Sequence, residues 1–192
     1  MQNTRNLKKR RIRNLIKRYK PRKQNAKKYL PSSVLIPLVE KNNDPQILFI
    51  KRTNLVKHHK GEISYPGGTK EQSDRNLRDT LLREINEELG ISSSQIDILG
   101  YIDEQITLTN FLVRPYIGYL MPPFELNLNK FEIADVIYIP ISHLINQISH
   151  EEVIMRDRNA MILYTYYYGK YTIWGATARI LHNFFDIIKL QA

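Results

Sequence analysis

Arg83, Glu84, Glu87 and Glu88, in the run REINEELGI from Arg83 to Ile91, are the residues whose types and spacing point most directly to chemistry. Side chains three and four apart are neighbours on a helix surface, so a helical run gathers these carboxylates in one small region. Gathering like charge costs electrostatic energy, and two readings account for the cost. One is a solvated acidic face, on which water and salt screen the repulsion. The other is a site for a hard divalent cation, because Mg2+ takes oxygen ligands and commonly links protein carboxylates to substrate phosphates. Gly67 and Gly68, directly after Pro66, favour the second. A glycine pair allows a tight turn that exposes backbone amides and carbonyls just ahead of the helix.

The surrounding pattern predicts that helix. At 100° per residue, Leu77, Leu81, Leu82, Ile85 and Leu89 span an arc of about 140°, with the three glutamates on an adjoining arc. Upstream, Ser33 to Val39 and Gln46 to Lys51 read as a strand pair joined through KNNDP. Arg52 closes the second strand, and the loop that follows carries Lys57, His58, His59 and Lys60. Adjacent histidines seldom aim at one ion, so this loop reads either as a phosphate-facing surface or as solvated charge. Downstream, Ile96 to Tyr101 and Leu112 to Leu120 read as strands, Pro115 placing the latter at an edge or a bulge. Asp103 and Glu104 between them read as solvated loop acids. Glu104 and Glu132 are the candidates to join the site from outside the helix, Glu132 preceding a further strand and a short helix entered near Pro140. Met161 to Tyr168 and Tyr171 to Trp174 form a hairpin pattern, and Ala176 to Leu190 a long amphipathic helix.

Composition sets the outer limits. A chain of 192 residues suits one domain, and the absence of cysteine excludes disulfides and thiolate metal sites. No apolar run reaches the length of a membrane span and no hydrophobic stretch follows the basic start, so a cytoplasmic protein is expected. The net charge of +10 is uneven: residues 1–30 hold thirteen of the 29 Lys and Arg and no acid, leaving sixteen basic against nineteen acidic residues beyond. We divide the chain accordingly into a basic helical segment, 1–30, and a main domain, 31–192. Leu7, Ile12, Leu15, Ile16 and Tyr19 lie on a narrow apolar stripe of that segment, which serves either to dock it on the domain or to present its cations to nucleic acid. These patterns give an α/β class and no more.

With these residues in view, the chain resembles the Nudix hydrolases, whose signature is G, five residues, E, seven residues, then REUxEExGU with U aliphatic. Gly68, Arg83, Glu84, Ile85, Glu87, Glu88, Gly90 and Ile91 match it. Asp74 stands where the signature has Glu, and eight residues rather than seven separate it from Arg83. That longer spacing is similar to the coenzyme A diphosphatase branch, whose upstream motif has the form LLTKRSxxLRxHxGxxxFPGG. LFIKRTNLVKHHKGEISYPGG, Leu48 to Gly68, resembles it, departing at Thr53, Val56, Lys57 and Tyr65 among other positions.

The resemblance implies an α/β/α sandwich with a mixed sheet and hydrolysis of a diphosphate linkage with Mg2+ or Mn2+. Glu84, Glu87, Glu88 and Gly68 are the implied metal ligands; Arg83, Glu84 and Glu132 the implied catalytic residues. Arg83 would orient the carboxylates by pairing with one of them, Asp74 being the candidate. Arg52, Lys57, His58, His59 and Lys60 would meet the substrate, coenzyme A or its derivatives. ADP-ribose, a dinucleotide, a capped RNA end, or a catalytically silent nucleic-acid-binding module are the alternatives, and a homodimer is compatible with all of them.

Overall fold

The computed structural model describes residues 9–25, 27–41, 44–55, 59–147, 150–156 and 159–189. Helix α1 (Lys9–Arg18) is followed by strands β1 (Leu30–Lys41), β2 (Asp44–Arg52), β3 (Ile63–Ser64) and β4 (Gly67–Thr69), and then by helix α2 (Leu77–Leu89). Next come β5 (Ile96–Tyr101), β6 (Gln105–Ile106), β7 (Phe111–Leu120), β8 (Ile133–Pro140) and the short α3 (Ile141–Ile145). Strands β9 (His150–Arg156), β10 (Asn159–Tyr168) and β11 (Tyr171–Ile173) lead into α4 (Gly175–Lys189).

The main sheet runs β3-β2-β1-β7-β5, with β8 also on β2, β4 on β1 and β6 on β7. β1 and β7 are parallel, from Leu30 opposite Phe111 to Leu38 opposite Tyr119, and the remaining pairings of this sheet are antiparallel. Successive side chains of a strand face opposite ways, so the apolar runs in the central strands supply two cores at once. Leu35, Leu48, Ile50 and Tyr116 pack with Leu81, Ile85 and Leu89 of α2. Ile36, Leu38, Phe49 and Ile117 pack on the other face with Ile12 and Ile16 of α1 and with Phe184 and Phe185 of α4. The architecture is thus an α/β/α sandwich with a mixed sheet. Among the described residues no helix is long and apolar enough to cross a membrane.

Two expectations change. Pro115 lies in an interior strand rather than at an edge: its carbonyl accepts the N–H of Ile102, so its missing N–H falls on the side where the neighbouring strand is interrupted between β5 and β6. Asp103 and Glu104 are not solvated, being 3% and 4% exposed. β9 is a strand that the sequence pattern does not announce, because the consecutive Val153, Ile154 and Met155 give no alternation. The apolar stripe of the basic segment packs inward, with Ile12, Leu15 and Ile16 buried; Leu7 lies outside the described residues.

Candidate active site

α2 begins where the Asn76 side chain accepts the N–H groups of Arg78 (2.9 Å) and Asp79 (3.1 Å), and it stops at Gly90, whose φ of 71° is the left-handed turn that ends helices. Burial of Leu81, Ile85 and Leu89 against the sheet fixes its rotation, and rotation decides what each acid meets. Glu88 turns inward and is 2% exposed. Glu84 is mostly buried, while Glu87 points outward with its side chain 54% exposed.

Arg83 closes one end of this acidic group. Its Nε and Nη2 donate to the two oxygens of Asp74 at 3.1 and 3.0 Å, Nη2 also reaches the Thr69 carbonyl at 3.2 Å, and Nη1 lies 2.9 Å from Glu87 and 3.0 Å from Glu84. This two-pronged pairing holds the Asp74 carboxyl well below the usual range despite its burial. Asp74 in turn accepts the N–H of Glu71 at 2.9 Å, so the loop before α2 is tied down through a carboxylate one methylene shorter than the signature's Glu.

The other end is built across three elements. Glu88 Oε2 accepts the Gly67 N–H at 2.9 Å, and its Oε1 stands 3.6 Å from Arg52 Nη1. Arg52 Nη2 stands 3.6 Å from Glu132 Oε2. Beside Arg52 the pairing of β2 with β8 shifts register: Lys51 lies opposite Asp135 and Arg52 opposite Ile133, which leaves Ala134 of β8 as the bulged residue. Thr53 fixes the loop bearing Glu132: its N–H donates to the Glu132 carbonyl at 2.8 Å and its hydroxyl to the Phe131 carbonyl at 2.6 Å. Asn129 Nδ2 steadies the Glu132 carboxylate at 3.3 Å. Burial pushes the Glu88 carboxyl up to about 8 and raises that of Glu84 as well, and in both the neighbouring charge of Glu132 adds to the rise.

Gly68 is where the backbone of β4 meets this group. A Cβ there would overlap the Glu84 carboxylate, and a Cβ on Gly67 would overlap the Ser33 carbonyl of β1. The Gly68 carbonyl accepts the Ser32 hydroxyl at 2.8 Å. Among the described residues no group of three or more acidic or histidine side chains is arranged to hold a metal ion. Mg2+ does not need one, since it is usually bound through one or two carboxylates with water and substrate phosphate completing the shell. Buried carboxylates short of positive charge, with a glycine backbone against one of them, therefore fit a divalent cation.

The structure brings together Arg52, Gly68, Glu84, Glu88 and Glu132, with Arg83, Glu87 and Asp74 alongside. His59 is given to Glu62, 2.9 Å away, and Lys60 is exposed. Lys57 and His58 lie outside the described residues. Glu104 bonds instead to Arg114, at 2.6 and 2.9 Å, and to the Gln24 N–H. Sequence reasoning assigns no role to Thr53 or Asn129, which steady Glu132: Thr53 stands in the upstream motif far from Glu132 in the chain, and Asn129 has no signal beyond its nearness to it.

The sequence profile of the NUDIX domain matches residues 29–157, which contain every one of these side chains. The chain belongs to the Nudix hydrolase family. An uncharacterised Nudix hydrolase, NudL, of Photorhabdus laumondii is 30% identical over 153 residues, covering 79% of this chain and 81% of that one. The peroxisomal coenzyme A diphosphatase NUDT7 of Mus musculus is 26% identical over 155 residues, covering 77% of this chain and 66% of the mouse protein. A MutT protein from Methanosarcina mazei has the same fold, with a TM-score of 0.53 at 18% identity over 85% of this chain and 94% of its own. Membership makes this Nudix protein a diphosphatase, an enzyme that hydrolyses a linkage between phosphates.

Proposed function

We propose that this Nudix enzyme hydrolyses coenzyme A or its acyl derivatives to 3′,5′-ADP and the corresponding 4′-phosphopantetheine, with Mg2+ or Mn2+. The observation carrying the substrate assignment is continuity. The upstream motif enters the site at Arg52, beside Glu88 and Glu132, and leaves it at Gly67 and Gly68, against Glu88 and Glu84. The relationship to the mouse coenzyme A diphosphatase supports the same substrate.

When bound, the cation neutralises the diphosphate oxygens and activates water for attack. Glu87 and Glu88 would hold it together with the Gly68 carbonyl, and Glu84 would add an oxygen or orient the water. Glu132, whose side chain is 44% exposed, is reachable by solvent and accepts the proton of the attacking water. Arg83 keeps the carboxylates in place. Arg52 meets the diphosphate, and the loop from Lys57 through His58 and His59 to Lys60 meets the 3′-phosphate. Such a charge-assisted contact contributes about 1.5–3 kcal/mol, or roughly ten- to a hundred-fold in selectivity.

Cytoplasmic residence, a homodimeric assembly and a weak nucleic-acid contact belong to the same proposal. The contact would use the face of α1 opposite its buried stripe, where Arg10, Lys17 and Arg18 are exposed. It weakens steeply with added salt if phosphate charge drives it.

The deciding experiment compares kcat/KM for coenzyme A, dephospho-coenzyme A, acyl-coenzyme A, ADP-ribose, NADH, diadenosine polyphosphates and capped RNA. Coenzyme A compounds are expected to lead, and dephospho-coenzyme A, lacking only the 3′-phosphate, to fall at least roughly ten-fold behind. A preference for ADP-ribose or capped RNA overturns the substrate and leaves the diphosphate chemistry standing.

A further inference from the structure

The two arginines of the site are held in opposite ways. Arg83 spends its guanidinium on hydrogen bonds to Asp74, Thr69 and Glu87 at 2.9–3.2 Å. Arg52 stands 3.6 Å from each of two carboxylates that belong to different elements, outside hydrogen-bond range of both. Its side chain is only 22% exposed, and its Nε is buried with no hydrogen-bond partner among the described residues. A guanidinium offers five donors in a rigid fork, and burying them unpaired is costly. Arg52 is therefore kept between Glu88 and Glu132 by charge, and among the described residues no side-chain hydrogen bond fixes its guanidinium.

We propose that Arg52 is the resident counter-ion of the metal site. It occupies the place between the Glu88 and Glu132 carboxyls until a divalent cation takes Glu88, and it is then released to the phosphates of the substrate. The inference rests on the reading of Glu88 as a metal ligand and adds a competition to it. Guanidinium and metal are both cations and claim the same oxygens, so the arginine that helps substrate opposes metal binding.

The consequence runs against the usual effect of damaging a site. Removing Arg52 should tighten the metal while it weakens substrate. Mn2+ binding to the metal-free protein is titrated by the electron paramagnetic resonance signal of the free ion, for the wild type, Arg52→Gln, Arg52→Met, Arg52→Lys and Glu88→Gln. Arg52→Gln and Arg52→Met, the second keeping the apolar stem, are expected to bind Mn2+ roughly ten-fold more tightly than wild type, with Arg52→Lys near wild type. Both neutral variants should also show a raised KM. Unchanged or weaker Mn2+ binding in the neutral variants overturns the proposal. The Glu88→Gln arm separates the two levels. Wild-type Mn2+ affinity there removes the ligand reading and this inference with it, whereas lost affinity without tightening in the Arg52 variants removes the inference alone.

Discussion

Asp103 and Glu104 are 3% and 4% exposed, nearly as deeply buried as Glu88 at 2%, yet the two places answer the cost of burial differently. Asp103 accepts the Tyr19 hydroxyl at 2.7 Å, the Arg22 N–H at 2.8 Å and Arg22 Nε at 2.6 Å. Burial pushes its carboxyl up, but these donors outweigh burial and leave it below the usual range. Glu104 is held by Arg114 and the Gln24 N–H in the same close fashion. Glu88 receives one backbone N–H and a cation 3.6 Å away, and burial leaves its carboxyl near 8. The first pair ties the segment after α1 to the body. The second group is left short of positive charge, which a structural role would not require.

The largest expected effect is on turnover. Glu88→Gln and Glu87→Gln should each lower kcat on the order of a thousand-fold at saturating Mg2+, while the melting temperature holds, because removing repelling charge does not weaken the metal-free helix. Undiminished turnover in both variants would remove the metal assignment. Next, Glu132→Gln should lower kcat roughly a hundred-fold with little change in stability. Glu104→Gln should do the reverse, keeping kcat and losing about 3 kcal/mol as Arg114 loses its buried partner. Full activity in Glu132→Gln alongside an inactive Glu104→Gln would exchange the two assignments.

A smaller effect separates the groups by pH. Between the ordinary glutamate range and about 8, the unfolded chain has released the Glu88 proton and the folded metal-free protein still holds it, so stability falls as pH rises through that window. Asp103 acts oppositely, its contribution being present above the ordinary aspartate range and lost as pH falls below it. Melting temperatures of the metal-free protein across pH 5–9 should decline in wild type and decline less in Glu88→Gln.

Much of this was legible because α2 obeys a strict period. Leu81, Ile85 and Leu89 set the buried face, and Arg83 and the glutamates follow from it. The core strands were legible too, since Leu35 to Leu38 and Ile47 to Ile50 are apolar on both faces. What could not be read was pairing across distance. No local signal distinguishes Glu104 from Glu132; the difference lies in Arg114 on β7 and Arg52 on β2, brought near by the sheet. Asp103 reads as solvated in the sequence because its partners, Tyr19 and Arg22, are 81 to 84 residues away.

The central claim is that Glu88 is buried with too little positive charge in order to hold a metal. It is tested most directly by the melting temperatures of wild type and Glu88→Gln at pH 7.5, each with and without saturating Mg2+. A ligand that binds only the folded state raises stability by mass action. The account predicts that Glu88→Gln is at least as stable as wild type without metal, and that Mg2+ raises the wild type but not the variant. A variant less stable without metal, and raised by Mg2+ as much as the wild type, would contradict it.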